Sequence, residues 1–321
     1  MTRFSLSAVL LVFLIAGPAL AAGDFQPWLQ NLRTEALQKG ISQKIVSEAL
    51  SDIQPIPRVI ELDRKQPEGT MTFAKYQKNV ITEARIEKGR ELYRQHRQEL
   101  EKAASTYGVP AQYIVALWGI ETSYGDNTGG FGVIPALATL AYDGRRSSYF
   151  RTELLNALHI LDEGHINLGN MKGSWAGAMG QNQFMPSSFK TFAVDGNNDG
   201  RRNIWTSLPD VFASTANYLD KSGWREDQKW GREVSLPKGF PESLTGLDNA
   251  RTLQDWKGMG VALPGNQPLP TTENMKSSIV LPDGITGPAY LVYDNYRVIM
   301  KWNKSKYFAT SVGILADKIA Q

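Results

Sequence analysis

Apolar and polar positions alternate with helical spacing over the first hundred residues of the chain. In FQPWLQNLRTEAL, which starts at residue 25, apolar residues recur every three or four positions. Ser42 precedes a second such run, QKIVSEALSDI, and can cap that helix. RIEKGRELYRQHRQELEKAASTYG predicts one long helix with a solvated charged face, ending at Gly108. Together these patterns predict a helical domain over residues 22–108.

The pattern changes twice further along the chain. From Pro110, a proline placed where a helix can begin, to residue 235, it predicts helices separated by glycine-rich loops. Over 236–303, many proline and glycine residues separate short alternating segments, which predicts a small β-rich insertion. Residues 304–321 predict a closing helix that packs on a core formed by 109–235. We therefore expect an α+β fold that is mainly helical.

The N-terminus is typical of an exported protein. Arg3 is followed by the short apolar run LSAVLLVFLIAG and by the small residues around Ala21. This order predicts a signal peptide over residues 1–21, cleaved after Ala21. A transmembrane anchor is the alternative, but the apolar run is short for a bilayer. We expect a soluble periplasmic protein with no membrane anchor after cleavage.

Composition excludes several other classes of protein. The 35 basic and 32 acidic residues leave a net charge of +3, too small to indicate nucleic acid as a partner. The sequence has no cysteine, which rules out a disulfide, a thiolate metal site or an acyl anchor on cysteine.

The segment WGIETSYGDNTGG, from Trp118 to Gly130, places a glutamate where helix energetics disfavour it. Glu121 follows an apolar helical run and precedes a glycine-rich loop. Apolar neighbours and the negative end of the helix dipole both raise the pKa of a carboxyl group. A carboxyl group that stays protonated near neutral pH can act as a general acid in glycosidic cleavage. The alternative is a solvated glutamate at a helix end.

A second segment, GSWAGAMGQNQFMPSSF, carries three consecutive amide side chains. Gln181, Asn182 and Gln183 offer the paired donors and acceptors that suit sugar hydroxyl and acetamido groups. The alternative is an ordinary glycine-rich turn that leads into a helix.

A third segment, DGNNDGRRNIWTSLPD, resembles the first half of a helix–loop–helix calcium site. Asp195, Asn197 and Asp199 occupy positions 1, 3 and 5. The usual glutamate at position 12 is replaced by Thr206, and Asp210 is the next carboxylate. The alternative is a polar turn without metal.

ALWGIETSYG, GRRSSYFRTELLNAL, GSWAGAMGQNQFMPSSF and AVDGNNDGRRNIW together resemble the lytic murein transglycosylase B family, in order and spacing. The resemblance implies a lysozyme-like catalytic core with an added helical domain and a small β-rich domain. It implies non-hydrolytic cleavage of the β-1,4 bond between N-acetylmuramic acid and N-acetylglucosamine, leaving a 1,6-anhydro-muramic acid end. The implied partners are peptidoglycan glycan strands, and binding to other cell-wall enzymes stays open.

The resemblance also implies a role for individual residues, with Glu121 as the catalytic residue. The implied substrate-binding residues are Ser174, Gln183, Arg145, Arg146, Tyr149, Asn303 and Phe308. The family more often has tyrosine at the position of Phe308. The implied cofactor is one structural Ca²⁺ and no organic group, with ligands from Asp195, Asn197, Asp199, the Arg201 carbonyl and Asp210.

Two other functions stay open from the sequence. If Asp126, the nearest rival carboxylate, were a nucleophile, the protein would be a retaining hydrolytic muramidase. If Glu121 only accepted hydrogen bonds, the protein would be a peptidoglycan-binding module without catalysis. An Asx turn at Asp126 and the apolar setting of Glu121 favour a single residue that acts first as acid and then as base.

Overall fold

In a computed structural model, the described residues 22–65, 71–270 and 275–321 form a mainly helical fold. The predicted signal peptide, residues 1–21, lies outside the described residues. Within the described ranges, no helix combines the length and the apolar character that crossing a bilayer needs.

The N-terminal region is helical, as its spacing predicted. Its helices are α1 (Ala22–Gln38), α2 (Gln43–Leu50), α3 (Pro57–Arg64), α4 (Phe73–Val80), α5 (Glu83–Gln95) and α6 (Arg97–Tyr107). Ser42 caps α2, since its Oγ accepts a hydrogen bond from the Ile45 amide at 3.3 Å. Gly108 ends α6 in the left-handed conformation with φ of 65°.

The prediction of one continuous charged helix is wrong, because the chain breaks between α5 and α6. His96 adopts φ of −107° and ψ of 28°, outside the helical region. Its ring lies 6.4 Å from Trp118 and 6.0 Å from Phe212. The break lets α5 pack on α7 and α14 while α6 packs on α11.

The core surrounds one central helix. Its elements are α7 (Ala111–Thr122), β1 (Phe131–Gly132), α8 (Val133–Tyr142), α9 (Ser147–Asp162), β2 (Lys172–Gly173), α10 (Pro186–Phe192) and α11 (Leu208–Lys221). Helix α7 is apolar on nearly every side and contacts α5, α6, α11 and α14. A helix that is apolar all round belongs in the interior of a protein. Glu121 therefore stands at the end of a helix that lies in the interior of the core.

A small β-rich unit follows the core. It comprises β3 (Gly231–Val234), β4 (Arg251–Thr252), α12 (Leu253–Gly258), β5 (Lys276–Val280) and β6 (Ala289–Val292). The strands are antiparallel in the order β3-β6-β5-β4, with Ile279 opposite Leu291. The unit has its own hydrophobic cluster around the fully buried Trp256.

In the structure, the small β-rich unit begins and ends at other residues than the predicted 236–303. Strand β3 begins at Gly231, because it pairs with β6 at the far end of the unit. Residues 294–302 form a helix, α13 (Asp294–Trp302), whose Tyr296 and Ile299 are buried in the main core. The last helix, α14 (Lys306–Ile319), packs on α7, α5 and α4.

Candidate active site

Glu121 lies in the last turn of α7 and is partly buried. The indole Nε1 of Trp302 donates a hydrogen bond to its Oε1 at 2.7 Å. Desolvation raises the pKa of Glu121 to about 7, although the hydrogen bond from Trp302 acts in the opposite direction. The carboxyl group is therefore about half protonated at neutral pH, as a general acid requires.

The turn after Glu121 is locked onto the chain near residue 181. Thr122 Oγ1 accepts a hydrogen bond from the Gly125 amide at 3.0 Å and donates one to the Gln181 carbonyl at 3.1 Å. Trp118 Nε1 donates to Gln181 Oε1 at 2.7 Å. A Cβ on Gly125, where φ is +88°, would lie 2.4 Å from Gln181 Oε1. Only glycine fits that point, so the glycine after the helix serves close packing.

Trp302, which contacts Glu121, packs with two other aromatic side chains. The ring of Trp302 lies 5.2 Å from that of Phe184 and 4.6 Å from that of Tyr218, and we call these three residues the aromatic wall. Tyr218 also donates its hydroxyl to the Lys301 carbonyl at 2.8 Å, next to Trp302 in the chain. Trp302 connects this cluster to Glu121 through its indole hydrogen bond.

Two residues close to Glu121 were missed by sequence reasoning. Trp302 directly precedes Asn303 in the KWN segment, and that adjacency was the only signal for it. Tyr76 lies on α4, and burial together with the negative charge of Glu121 raises the pKa of its phenol. No spacing pattern connects residue 76 with residue 121, because the fold alone brings α4 to α7.

The three consecutive amides behave differently from one another. Gln181 and Asn182 are buried, and Asn182 Nδ2 donates to the Val211 carbonyl at 2.8 Å and to Thr215 Oγ1 at 2.7 Å. The expectation that all three face sugar is therefore wrong, since two of them hold the scaffold. Gln183 is only partly buried, with a left-handed φ of 50°.

Gln183 is linked to the loop that follows Glu121. Its Nε2 donates to the Thr128 carbonyl at 3.1 Å and to the Gly180 carbonyl at 3.0 Å. Its Oε1 has no hydrogen bond within the described ranges and can accept one from a ligand. Ser174 is partly buried, and its Oγ accepts a hydrogen bond from the Ala178 amide at 3.1 Å.

Arg145 and Arg146 converge on one buried carboxylate. Arg146 Nη2 lies 2.6 Å from Asp63 Oδ1, and Arg145 Nε lies 3.1 Å from Asp63 Oδ2. Asp63 is 1% exposed, whereas the two arginine side chains are 44% and 50% exposed. Tyr149, on the first turn of α9, is 45% exposed. Asp63 on α3 thus holds the arginine pair in place with donor groups still open to solvent.

Asn303 and Phe308 have different environments. Asn303 is exposed between α13 and α14, and its Oδ1 accepts a hydrogen bond from the Ser305 amide at 3.0 Å. Phe308 is 4% exposed and belongs to the main core, so its predicted role in substrate contact is wrong. Ser305 caps α14, which turns position 308 inward on the same face as Val312.

Tyr307 does not take the place of a hydroxyl at position 308. Its hydroxyl donates to Asp283 Oδ1 at 2.9 Å, in the loop between β5 and β6. Its ring packs on Phe73 and Tyr76 at the start of α4. The tyrosine therefore joins the small β-rich unit to α4.

Asp126 is occupied by an ion pair. Its Oδ2 lies 2.5 Å from Lys88 Nζ on α5, and its side chain is 65% exposed. An exposed, paired carboxylate is a poor nucleophile candidate beside a desolvated one.

The 195–210 loop is organised by its own carboxylates. Asp195 accepts hydrogen bonds from the Asp199 amide at 3.1 Å and the Gly200 amide at 2.7 Å. Asp210 is fully buried and accepts hydrogen bonds from the Gly196 amide at 2.9 Å and the Asn203 amide at 2.6 Å.

The predicted calcium ligands fit the ion in chemistry. Gly200 has φ of +86°, which suits the sharp turn at position 6 of such a loop. Each carboxylate has about four acceptor positions, so the amide contacts of Asp195 and Asp199 leave oxygen lone pairs free. Among the described residues, no three His, Asp or Glu side chains stand close enough to hold a metal. The ion would therefore rely on the Asn197 amide oxygen and a backbone carbonyl as well.

The central helix, the desolvated glutamate at its end and the partly exposed amide of Gln183 are the features of a lysozyme-like enzyme that acts on glycosidic bonds. The chain belongs to the family described as "Transglycosylase SLT domain", which matches residues 24–317. It is 32% identical to the membrane-bound lytic murein transglycosylase B of Escherichia coli strain K12, covering 93% of this chain and 84% of that protein.

Solved structures agree with this assignment. SltB3 from Pseudomonas aeruginosa, in complex with NAG-anhNAM-pentapeptide, matches with a TM-score of 0.90 and 44% identity, covering 92% of this chain and 79% of that one. The Escherichia coli lytic transglycosylase Slt35, in complex with bulgecin A, matches with a TM-score of 0.79 and 30% identity, covering 92% and 93%. The predictions of a lysozyme-like fold and of a lytic transglycosylase acting on peptidoglycan are confirmed.

Proposed function

We propose that Glu121 alone serves as acid and then as base in the cleavage of the β-1,4 bond between N-acetylmuramic acid and N-acetylglucosamine. The observation that carries the proposal is its setting, with a pKa raised to about 7 beside the aromatic wall and one hydrogen bond from Trp302. A half-protonated carboxyl group can both give and take a proton at neutral pH.

The reaction has two proton transfers and consumes no water. Glu121 gives its proton to the glycosidic oxygen as the bond from that oxygen to the muramoyl anomeric carbon breaks. The resulting carboxylate takes the proton of the muramoyl C6 hydroxyl, whose oxygen attacks the same anomeric carbon. The product is a 1,6-anhydro-muramic acid end. Attack from within the same sugar has little entropy left to lose once the sugar is held.

Two observations favour this route over hydrolysis by a nucleophilic Asp126. Asp126 is exposed and paired with Lys88, and is thus poorly suited to attack an anomeric carbon. The relative SltB3 was solved with NAG-NAM-pentapeptide and also with NAG-anhNAM-pentapeptide, so a site of this family accepts the anhydro sugar that the proposed route produces. A substrate acetamido oxygen can meet the charge at the anomeric carbon in place of a second carboxylate.

The substrate is held by residues around Glu121 and by the arginine pair. Gln183 offers its free Oε1 to sugar donors, and Ser174 offers its hydroxyl. Arg145 and Arg146, fixed from behind by Asp63, suit carboxylates of the glycan strand and its peptides. Tyr149 and Asn303 offer exposed polar groups to the same ligand.

A calcium ion completes the 195–210 loop. The predicted ligands Asp195, Asn197, Asp199 and the Arg201 carbonyl would supply oxygen. Asp210, the fifth predicted ligand, is fully buried and accepts two backbone hydrogen bonds, so it would brace the loop from inside. The relative Slt35 was also solved in complex with calcium. When bound, the ion would stabilise the loop and take no part in bond cleavage.

The protein acts in the periplasm after export. Residues 1–21 have the order of charges and small residues that a signal peptidase requires. Amino-terminal sequencing of protein from the periplasmic fraction should start at Ala22, and a start at Met1 would contradict export with cleavage.

Mass spectrometry of fragments released from purified sacculi tests the proposed reaction. We expect anhydro-muramic acid ends from the wild type and almost no release by Glu121→Gln. Reducing ends would instead identify a hydrolytic muramidase. Binding to sacculi without any release would identify a peptidoglycan-binding module.

A further inference from the structure

We propose that Trp302 is a positioning residue that orients the Glu121 carboxyl group and confines its acid proton to Oε2. The inference rests on the proposed role of Glu121. The indole Nε1 donates to Oε1 at 2.7 Å, from a residue 181 positions away in the chain.

The chemistry of indole decides which oxygen carries the proton. An indole nitrogen donates hydrogen bonds and cannot accept them. Oε1 must therefore accept in both protonation states, so the proton of the neutral acid resides on Oε2. The oxygen that exchanges protons with substrate is thereby fixed before substrate arrives.

The same bond favours the second half of the reaction. A donor to an ionised carboxylate makes a stronger bond than one to a neutral acid. Trp302 therefore stabilises Glu121 as the base that takes the C6 proton, and partly offsets the desolvation that favours the acid. The two opposing effects keep the group competent for both steps.

The donor is held rigidly. Trp302 is the last residue of α13, and its ring packs on Phe184 and Tyr218. Helix α13 is anchored through the buried Tyr296 and Ile299. Because the packed ring and the anchored helix already hold the indole in place, it loses little entropy when it donates to the carboxyl group.

Other ionisable groups near Glu121 are engaged elsewhere. Arg85 on α5 donates to the Val80 carbonyl and, at 3.1 Å, to Ser123 Oγ. Tyr124 donates its hydroxyl to the Arg85 carbonyl at 2.7 Å. The pKa of the Tyr76 phenol on α4 is raised above its ordinary value, so Tyr76 stays neutral over the pH range in which Glu121 titrates. A change in the titration of Glu121 can therefore be traced to Trp302.

The test is Trp302→Phe, which keeps an aromatic ring for the wall and removes the donor. The carboxyl carbon of Glu121 is followed by ¹³C NMR during a pH titration, with Glu121→Gln identifying the signal. We expect the pKa to rise by about one pH unit, since a hydrogen bond to a charged group is worth about that much. The pKa that governs the basic limb of the pH profile of kcat/KM on sacculi should rise by the same amount.

Orientation is tested at pH 5.5, where Glu121 is mostly protonated in both proteins. We expect kcat to fall about tenfold there with KM within about twofold, because the acid proton is no longer confined to one oxygen. Trp302→Tyr, which returns a hydroxyl donor, should recover part of kcat. Trp256→Phe is the matched control, since its indole donates to the Ser277 carbonyl at 3.1 Å in the small β-rich unit.

The outcomes separate this inference from the role of Glu121. An unchanged pKa and kcat in Trp302→Phe would overturn the positioning role. So would equal changes in Trp256→Phe. If the pKa moves, but Glu121→Gln keeps most of its activity, the proposed role of Glu121 fails and the positioning role with it. If Glu121→Gln is inactive and Trp302→Phe is unaffected, only the positioning role fails.

Discussion

The end of α7 and the 195–210 loop each hold a carboxyl group away from water, but the two groups accept different hydrogen bonds. Asp210 is fully buried and accepts two backbone hydrogen bonds, from residues 14 and 7 positions away. Glu121 accepts one from a side chain 181 positions away. Burial raises the pKa of both groups, but several donors oppose the effect at Asp210 and only Trp302 opposes it at Glu121.

The difference separates structural from chemical use of a buried carboxyl group. A carboxylate surrounded by backbone donors is satisfied and holds its loop together. A carboxyl group with one donor keeps an oxygen free and stays close to its protonation midpoint. The second arrangement costs stability and provides reactivity, which is a common exchange at active sites.

The strongest test of the comparison is Glu121→Gln. Glutamine keeps the shape and cannot transfer the proton, so activity should fall by about 10²–10⁴ or more. Stability should not fall. Wild-type Glu121 contributes stability below pH 4.5 that is lost as the pH rises through about 7, so the variant should match or exceed it at pH 8. Turnover of sacculi and thermal melts measure both, and one third of wild-type turnover would refute the assignment.

Asp210→Ala should reverse this pattern. It leaves the Gly196 and Asn203 amides without their acceptor inside the protein, which should lower the free energy of unfolding by about 3 kcal/mol. Turnover per folded molecule should change less than about threefold, because the loop takes no part in the reaction. Urea unfolding measures the loss. Asp220→Ala, at the exposed end of the same helix, is the control and should cost under about 0.5 kcal/mol.

Calcium binding to the 195–210 loop should increase the stability of the protein. Without the usual position-12 glutamate, we expect a dissociation constant on the order of 10⁻⁴ M. At 100 times that constant the ion should add about 2.7 kcal/mol of stability. Thermal melts with EDTA and with added Ca²⁺ measure the gain. Asp199→Ala should abolish it, and a gain that survives in this variant would place the ion elsewhere.

The pH dependence of activity tests the chemical role of Glu121. The acid form is required first, so kcat/KM should fall about tenfold for each pH unit above about 7. Asp210 should not contribute to this limb. A profile that stays flat to pH 9 would contradict the raised pKa.

The smallest expected effect belongs to Asp126→Asn. It removes an exposed ion pair with Lys88, worth about 0–1 kcal/mol, and no reacting group. Activity should stay within about threefold of wild type, and fragments should keep their anhydro ends. A loss of 100-fold would favour the muramidase mechanism, with Asp126 as nucleophile.

The sequence determined the features that are written in neighbouring residues. The caps at Ser42 and Gly108, the apolar helix that carries Glu121, and the spacing of the 195–210 loop depend on positions a few residues apart. The order of the four motifs was sufficient to recognise the family, which matches nearly the whole chain. Local propensity and motif spacing can be recognised in the sequence without any knowledge of packing.

Only the tertiary structure decided which polar groups stay free. It buried Phe308, engaged Gln181 and Asn182 in the scaffold, and left Gln183 with an open acceptor. It also paired β3 with β6 and split the charged helix at His96. Burial depends on what packs against a residue, and the bond between Trp302 and Glu121 joins points 181 positions apart. A long-range partner leaves no periodic trace in the chain, so the protonation of Glu121 is a property of the fold.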